Sequence, residues 1–213
     1  MRKQKAYLAF KYTMDRIVAF FGIILCLPLF AVISLLIAVD SRGKVIFKQE
    51  REGKNRELFY VYKFRTMKRT DVAFDKNRPV IGDDNVNVTR IGKILRKSKL
   101  DELPQLFNVL RGEMSFVGPR PLLSVYSKMY ERWEYYKFSG RPGMTGLAQV
   151  NGNGSLSVRG RSYYDVVYNE KVSLLLDIKI LCKTVLTVLF GEKRYLNEPA
   201  EEEITAIQKK YDV

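Results

Sequence analysis

The chain of 213 residues contains no histidine. That absence excludes Ser-His-Asp and Cys-His catalysis, and it excludes every metal site that depends on an imidazole ligand. Cysteine is scarce as well. Cys26 and Cys182 each stand alone in an apolar run, which indicates neither a disulfide framework nor a zinc site. This cysteine usage fits a reducing compartment.

Negative charge is also in short supply. Asp and Glu total 23 against 37 Lys and Arg, so the formal net charge is +14. Such an excess predicts an anionic partner, of which nucleic acid, a lipid surface and phosphorylated small molecules are the main classes. No recognised nucleic-acid-binding motif accompanies the charge, so we expect no nucleic acid partner.

One long apolar run stands out near the N-terminus. Residues 17–39 form about 23 residues without a charge, where about 20 suffice to span a bilayer. The run exceeds the apolar region of a cleaved signal peptide, which has about 7–15 residues. One straight transmembrane helix is therefore the simplest interpretation. Pro28 argues against it, because it lies near the middle of the run and removes a helical hydrogen bond.

Basic residues flank both ends of this run. Arg2, Lys3, Lys5, Lys11 and Arg16 precede or begin it, and Arg42, Lys44 and Lys48 follow it. The positive-inside rule puts both flanks in the cytoplasm. Each half of the run, about 11 residues long, reaches about 17 Å, which is enough for one leaflet. We predict a re-entrant helix hairpin over residues 1–42 that is broken at Pro28.

The middle of the chain predicts a β-hairpin followed by two helices. Aromatic and β-branched runs at residues 44–49 and 58–67, separated by a turn-prone segment, predict the hairpin. Thr89 is placed to cap a short helix over residues 91–98. Apolar residues then recur at helical spacing over residues 103–112, where a glycine ends the pattern.

The remaining segments are predicted from composition. Residues 71–88 are polar and read as a loop, residues 122–138 as a helix, and residues 140–160 as a glycine-rich loop. An apolar pattern interrupted by charges over residues 172–190 predicts an amphipathic helix at the membrane interface. The tail, residues 191–213, is predicted as a solvated or frayed helix.

These elements together predict an α+β fold that is mostly helical with a small β-hairpin. We expect a monotopic membrane protein with residues 1–42 as the membrane hairpin. Residues 43–190 would form a cytosolic domain lying on the membrane, which the motifs below predict to be catalytic, and residues 191–213 a C-terminal tail, all within one integrated domain.

An adjacent pair of carboxylates, Asp101 and Glu102, lies in this basic chain just before a helical pattern. One interpretation is structural: Asp101 caps the helix, and Glu102 and Pro104 occupy its first turn. The other is chemical. An ordinary Asp is ionised near pH 7, so it can attack phosphorus without a base, which suits a chain that lacks histidine. Guanidinium groups and Mg²⁺ would then offset the phosphate charge, and four arginines are candidates: Arg96, Arg111, Arg120 and Arg141.

With these residues the chain resembles the small monotopic phosphoglycosyl transferases of the bacterial sugar transferase family. The resemblance covers about residues 7–190. It rests on the basic-flanked apolar segment broken at a proline and on five ordered motifs: VIFKQEREG, YKFRTM, GKILRKSKLDELPQLFNVLRGEMSFVGPRP, RPGMTGLAQVNG and LLLDIKIL. The long central motif is the most specific of them.

The resemblance implies a reaction. A sugar 1-phosphate passes from a UDP-sugar to a polyprenyl phosphate such as undecaprenyl phosphate, UMP leaves, and synthesis of a polysaccharide or another glycoconjugate begins. It implies the cytoplasmic face of the bacterial inner membrane as the location and Mg²⁺ as the cofactor. Anionic membrane lipids and downstream glycosyltransferases are the further partners it suggests.

The resemblance also implies roles for residues of this sequence. Asp101 matches the family's nucleophile, and Glu102 matches its dyad partner, which assists with Mg²⁺ and the acceptor. Arg96 and Arg120 match arginines that hold phosphate groups. The other positions that fall on family motifs are Lys63, Arg65 and Arg141 as phosphate-binding candidates, and Asp177, Gln149 and Asn151 as further site candidates. Lys63 as a solvated strand residue and Asp177 as a helix-surface charge are the plainer interpretations.

Two departures from the family pattern affect what can be inferred. Many members have Ser before the proline of the membrane helix, whereas this chain has Leu27, so the bend angle is harder to infer. The family often has Trp after the TG of the glycine-rich loop, whereas this chain has Leu147, which makes the sugar harder to infer.

Three alternatives to the two-step transfer stay open at this point. The same transfer could proceed directly in a ternary complex, with Asp101 acting only on metal or as a base. A basic nucleic-acid binder and a non-catalytic membrane scaffold are the other two. The apolar hairpin argues against nucleic acid, and only loss of turnover without loss of membrane association would exclude a scaffold.

Overall fold

A computed structural model of the chain describes residues 2–68, 85–127 and 129–212. Helices make up 63% of the structure, and the strands form two small sheets. The predicted α+β class is therefore confirmed at this level. The loop predicted over residues 71–88 lies mostly outside the described residues.

The chain begins with α1, Arg2–Asp40, which includes Pro28. This helix is long and apolar enough to cross a membrane, with a mean hydropathy of 2.9 in its apolar window. Helical structure continues through Pro28, so the predicted break does not appear as a gap between two helices. A proline removes only one backbone donor, and the neighbouring hydrogen bonds keep the flanking turns helical.

Both ends of α1 pack on the rest of the chain. Towards the N-terminus Lys11, Asp15 and Ala19 are buried, and towards the C-terminus Ile33 and Ile37 are buried. Between these two groups, no side chain from position 24 to position 30 is buried. Contact nevertheless continues past the proline, because the half-buried Phe30 packs against the rings of Phe64 and Phe107.

The β-hairpin predicted from sequence is present. Strands β1, Ile46–Glu52, and β2, Leu58–Phe64, pair antiparallel. They are joined through a 3₁₀ helix, Lys54–Arg56. Buried Phe64 at the end of β2 packs with Ile33 and Ile37 of α1. The hairpin therefore lies directly against the C-terminal half of the apolar helix.

Three helices and a second sheet follow. Helix α2, Arg90–Lys97, and α3, Gln105–Arg111, are joined by a 3₁₀ helix, Leu100–Glu102. Strand β3, Ser115–Val117, pairs in parallel with β4, Gly143–Thr145, and α4 spans Ser124–Ser127. The sequence did not predict this second sheet, because each of its strands is only three residues long.

The C-terminal third is helical. Helix α5, Val158–Lys171, precedes α6, Leu174–Phe190, and α7, Glu201–Tyr211. Helix α6 confirms the helix predicted over residues 172–190, whereas α5 was missed: more than half of its residues are buried, so no amphipathic stripe marks it. The residues between β4 and α5 also include two 3₁₀ helices, Gln149–Asn151 and Asn153–Ser155.

Two further predictions need correction. Residues 122–138 do not form one helix: α4 is followed by a separate 3₁₀ helix, Arg132–Ser139, whose Trp133 is fully buried. The tail is not merely solvated, because Ile204 of α7 packs in a core cluster with Trp133 and Val166. The division into residues 1–42, 43–190 and 191–213 stays a prediction.

A buried charge cluster fixes the N-terminal half of α1. Asp177, in the first turn of α6, lies 2.8 Å from the Lys11 ammonium. The same carboxylate accepts hydrogen bonds from the hydroxyls of Tyr7 at 2.6 Å and Tyr168 at 2.7 Å. Asp177 is only 5% exposed, so it is not a helix-surface charge, and its role as a site candidate stays a prediction. It joins α1, α5 and α6.

Replacing this carboxylate tests the anchor. In Asp177→Asn, the anionic neighbour that the described residues leave to the buried Lys11 is Asp15, at 3.6 Å. Breaking one partner of a buried pair costs about 3–5 kcal/mol, so we expect the free energy of unfolding in detergent to fall by about 3 kcal/mol. Lys179→Gln, at an exposed position of the same helix, is the control. Equal stability of the two variants would contradict the anchor.

Candidate active site

The two predicted catalytic carboxylates lie in the 3₁₀ helix Leu100–Glu102. The turn starts from Lys99, whose backbone is left-handed with φ 58°. Asp101 is 8% exposed. The residue before α3 is Pro104, and no side chain caps that helix. The interpretation of Asp101 as a helix cap is therefore wrong, and its carboxylate does not cap the N-terminus of α3.

Glu102 is paired with a cation that the sequence had singled out. The Lys63 ammonium, from β2, lies 2.5 Å from Glu102 Oε1. Burial alone would raise the pKa of Glu102, but the charges of Lys63 and then Arg120 outweigh it and lower that pKa to about 2. Glu102 is thus held as a carboxylate across the physiological range.

The pKa of Asp101 is subject to opposing effects. Burial raises the pKa of Asp101 above its ordinary value, and the neighbouring charge of Glu102 raises it further. The cations Lys63, Arg96 and Lys99 act in the opposite direction. Desolvation and a like charge make an oxygen nucleophile more basic, while the cations keep it available in its ionised form. This is the environment expected of a reactive carboxylate.

Arg96 reaches the site from the end of α2. Thr89 Oγ1 caps this helix by accepting from the Gly92 N–H at 2.9 Å, as predicted. A Cβ at Gly92 would lie 2.2 Å from the Thr66 carbonyl oxygen, so glycine allows α2 to pack this closely on the end of β2. The Arg96 Nε then donates to Thr66 Oγ1 at 2.9 Å. Sequence reasoning missed Thr66, although it belongs to the KFRTM motif.

Arg120 lies between Glu102 and a second, buried carboxylate. Its charge lowers the pKa of Glu102, and it also acts on Asp165. Asp165 is buried and lies 3.8 Å from the equally buried Lys137 ammonium. Burial raises the pKa of Asp165 to about 6. The structure therefore brings Lys63, Arg96 and Arg120 to the carboxylate pair, and their phosphate-binding role stays a prediction.

Arg65 is engaged with the backbone that follows α1, and its predicted phosphate-binding role stays a prediction. Its guanidinium donates to the carbonyl oxygens of Ser41 at 2.6 Å and Arg42 at 2.7 Å, just after α1 ends. These carbonyls would otherwise lack helical partners, and a guanidinium fork suits two of them at once. Arg65 is 6% exposed. Arg65 ties the end of α1 to the residues that follow β2.

Arg141 is also engaged away from the carboxylates. Its guanidinium lies 4.0 Å from the centre of the Tyr12 ring, and its backbone N–H donates to the Tyr12 hydroxyl at 3.2 Å. Burial lowers the pKa of Arg141. Arg141 and Tyr12 line a small cavity beside Lys11 and Tyr168. Within the described part of the chain its buried Nη1 has no hydrogen-bond partner, so the phosphate-binding role of Arg141 stays a prediction.

The remaining candidates lie in the glycine-rich loop. Asn151 donates to the Leu147 carbonyl at 2.8 Å and accepts from the Lys183 ammonium at 2.7 Å, so it braces the loop against α6. Gln149 is 8% exposed, and within the described part of the chain neither of its amide atoms has a hydrogen-bond partner. Gln149 stays a candidate for contact with a ligand.

The donor set is compatible with Mg²⁺. No group of three or more Cys, Asp or Glu residues that could hold a metal occurs among the described residues. Asp101 and Glu102 nevertheless supply two adjacent carboxylates. Mg²⁺ is commonly held by one or two carboxylates together with water and substrate phosphates. The pair therefore fits a magnesium ion that is bound together with a phosphorylated substrate.

The geometry thus combines a buried, activated carboxylate with cations suited to phosphate. Comparison with known proteins gives the family. The model of the bacterial sugar transferases matches residues 6–191. The chain belongs to this family. The match ends just before the last 3₁₀ helix and α7, so it includes every residue of the candidate site discussed so far.

Individual relatives agree with the family assignment. The uncharacterised sugar transferase EpsL of Bacillus subtilis is 45% identical over 148 residues, 70% of this chain and 71% of the relative. The UDP-glucose:undecaprenyl-phosphate glucose-1-phosphate transferase of Caulobacter vibrioides is 39% identical over 87% of this chain and 72% of the relative. An N-acetylgalactosaminephosphotransferase of Aeromonas hydrophila, named for UDP-N-acetylgalactosamine and undecaprenyl phosphate, is 38% identical over 87% of this chain but 45% of its own length.

The contacts of Arg65 predict a structural role for this member of the family. Arg65→Met removes two charged hydrogen bonds and leaves two carbonyls unpaired, so we expect the free energy of unfolding to fall by about 2–4 kcal/mol. Arg42→Met, which alters an exposed side chain and keeps the accepting carbonyl, is the matched control. Unchanged stability with weakened binding of a nucleoside diphosphate sugar would instead support the phosphate-binding role.

Proposed function

We propose that the chain transfers a sugar 1-phosphate from a UDP-sugar to undecaprenyl phosphate, through a covalent intermediate on Asp101. One observation carries this proposal: a desolvated aspartate lies beside a salt-bridged glutamate, with the charges of Lys63, Arg96 and Lys99 acting on it and that of Arg120 acting on the glutamate. The family assignment and the names of the relatives from Caulobacter and Aeromonas support the substrates.

The first step would join Asp101 to the donor. A carboxylate oxygen of Asp101 attacks the phosphorus that carries the sugar. The bond from that phosphorus to the bridging oxygen of the diphosphate breaks, and UMP leaves with the electron pair. No proton is required, which suits a site without histidine.

The second step would regenerate the enzyme. A phosphate oxygen of undecaprenyl phosphate attacks the same phosphorus, and the acyl phosphate bond to Asp101 breaks. The products are the free carboxylate and the sugar linked to undecaprenyl diphosphate. Because one phosphorus is attacked twice, one set of cations can serve both steps.

The surrounding residues would offset the charge that each step brings together. Two unit charges 4 Å apart repel by about 4 kcal/mol at an effective dielectric of 20. Lys63 and Arg96, with Arg120, lie where they can reduce this repulsion. When bound, Mg²⁺ would supply further neutralisation of the phosphate oxygens.

The acceptor is a lipid, and the exposed surface fits that requirement. Exposed apolar side chains run along α6 from Leu174 to Phe190 and along much of α1. We propose that both helices contact the cytoplasmic side of the inner membrane, with anionic lipids attracted by the excess of Lys and Arg. A membrane-associated position is already supported by the one candidate span and the lipid-carrier relatives.

The path of α1 is proposed to be re-entrant. Its N-terminal contacts, through Tyr7 and Lys11, and its C-terminal contacts, through Ile37 and Asp40, reach the same body of the protein. Between these ends Phe30 also packs on Phe64 and Phe107. A straight span would carry one end to the opposite membrane face, so contact at both ends favours a helix that returns.

The proposed donor is a class of UDP-sugars. Relatives are named for glucose, galactose and N-acetylgalactosamine, which points to a UDP-hexose or its N-acetylated form. Release of UMP from a panel of UDP-sugars, including dideoxy-diamino sugars, would identify the donor.

Isotope exchange tests the two-step scheme. With UDP-sugar, Mg²⁺ and labelled UMP but no lipid acceptor, we expect label to enter UDP-sugar, because the first step is reversible and needs no acceptor. Direct transfer in a ternary complex predicts no exchange. Asp101→Asn should lower exchange by at least about 10³-fold, since it removes the nucleophile.

The controls for this exchange separate chemistry from folding. Glu50→Gln changes an exposed carboxylate of β1 and should exchange at the wild-type rate. Chelation of Mg²⁺ should stop exchange. Asp101→Asn should still sediment with membranes; full turnover in that variant would favour a scaffold or a different nucleophile.

Cysteine labelling tests the path of α1. Lys5→Cys and Lys44→Cys, each in a chain without Cys26 and Cys182, place thiols at exposed positions on either side of the apolar run. In intact cells neither thiol should react with an impermeant reagent, and both should react after permeabilisation. Labelling of only one position before permeabilisation would indicate a straight span.

A further inference from the structure

Glu192 begins the 3₁₀ helix Glu192–Tyr195, just after α6 and just outside the family match. Its carboxylate contacts two segments that are distant in sequence. Oε1 accepts from the Lys99 ammonium at 2.9 Å, and Oε2 accepts from the Asn153 side-chain amide at 2.8 Å. Both oxygens are therefore used, and one side chain joins two loops.

Both of these loops belong to the candidate active site. Lys99 starts the turn that holds Asp101 and Glu102, and its charge acts on both carboxylates. Asn153 follows Gln149 and Asn151 in the glycine-rich loop. A link between these loops therefore limits how far they can move apart, which affects the width and shape of the site.

The turn that holds Asp101 and Glu102 begins at Lys99, in a backbone conformation that other contacts must stabilise. Lys99 has φ 58°, a left-handed conformation that costs a non-glycine residue about 1–2 kcal/mol. No side chain caps the 3₁₀ helix that begins there. Contacts of the Lys99 side chain are one way to hold this backbone, and the ion pair with Glu192 is such a contact.

The segment that carries Glu192 is held in place by contacts of Leu196 and Asn197. The Asn197 N–H donates to the Asn151 carbonyl at 2.9 Å, and the Asn197 carbonyl accepts from the Tyr164 hydroxyl at 2.8 Å. A Cβ on Gly152 would lie 2.6 Å from Leu196 Cδ1, so the segment is packed closely on the loop. Because its base is held, Glu192 loses less conformational entropy in pairing than a free surface residue would.

We propose that Glu192 is a positioning residue for the transfer reaction, which holds Lys99, and with it the turn of Asp101, against the glycine-rich loop. The inference rests on the proposed function. It adds a residue beyond the family motifs and connects the end of the membrane-facing helix α6 to the reacting carboxylate.

The test measures donor kinetics in Glu192→Gln. We expect kcat for UMP release to fall about fivefold, equivalent to about 1 kcal/mol, with KM for the donor changing less than about twofold. The change in kcat is expected because the turn, rather than the donor contacts, is displaced. Glu201→Gln is the matched control, since it breaks the Arg159–Glu201 pair, which is also exposed and lies between α5 and α7.

A double-mutant cycle identifies the route of the effect. If Glu192 acts through Lys99, Glu192→Gln should cause no further loss of kcat in a Lys99→Met background. Thermal unfolding of all variants should stay within a few degrees of the wild type. An equal fivefold loss in both backgrounds would overturn the proposal, because Glu192 would then act independently of Lys99.

The remaining outcomes are also decisive. If Glu192→Gln matches Glu201→Gln in kcat, Glu192 has no positioning role. A rise in KM at unchanged kcat would make Glu192 a donor-binding determinant and would also overturn the proposal. If the wild type releases no UMP from any UDP-sugar, the proposed function itself fails, and that result is distinct from wild-type activity with a neutral Glu192 variant.

Discussion

A buried carboxylate that must meet anionic phosphates can work only if cations surround it. Asp101 is removed from water by the turn that carries it, and burial together with Glu102 makes its ionised form less stable than in solution. The cations around it oppose this effect. Lys63 comes from β2 and Arg96 from α2, so hairpin and helix must meet correctly before the carboxylate is usable. The packing of β2 and α2 around the turn of Asp101 and Glu102 produces that one arrangement.

The same structure ties the site to the apolar helix. Asp177 binds Lys11 in the N-terminal half of α1, and Arg65 binds the carbonyls just after its C-terminal end. Both are buried polar contacts, which are strongly directional. They make α1 part of the body that contains Asp101 instead of a tether. Under the proposed function, a lipid phosphate at the membrane surface would meet a carboxylate in the same packed body as α1.

Some of this architecture could be predicted from the sequence. The hairpin, the Thr89 cap, helix α3 and the amphipathic α6 follow from local patterns. The pairing of Lys63 with Glu102 was not visible in these patterns, although motif resemblance marked both residues. Helix α5 and the packing of Ile204 were missed, because tertiary burial rather than a local stripe determines them.

The roles of charged residues were the hardest to infer. Arg65 and Asp177 fall on family motifs and looked like site residues, yet their partners come from distant parts of the chain. An ion pair between Lys11 and Asp177 cannot be predicted from the spacing of residues along the sequence. Asp101 was assigned correctly to the turn before α3, but a cap role was also compatible with the sequence. Only the proline at the cap position excludes it.

The claim that Asp101 takes up the sugar phosphate can be tested by peptide mapping. Protein incubated with donor but no acceptor, then quenched and digested, should yield the peptide containing Asp101 with the added mass of one sugar phosphate. The adduct should be cleaved by hydroxylamine, as an acyl phosphate is, and should disappear when acceptor lipid is added. An adduct on another residue, or none in protein that turns over fully, would contradict the account.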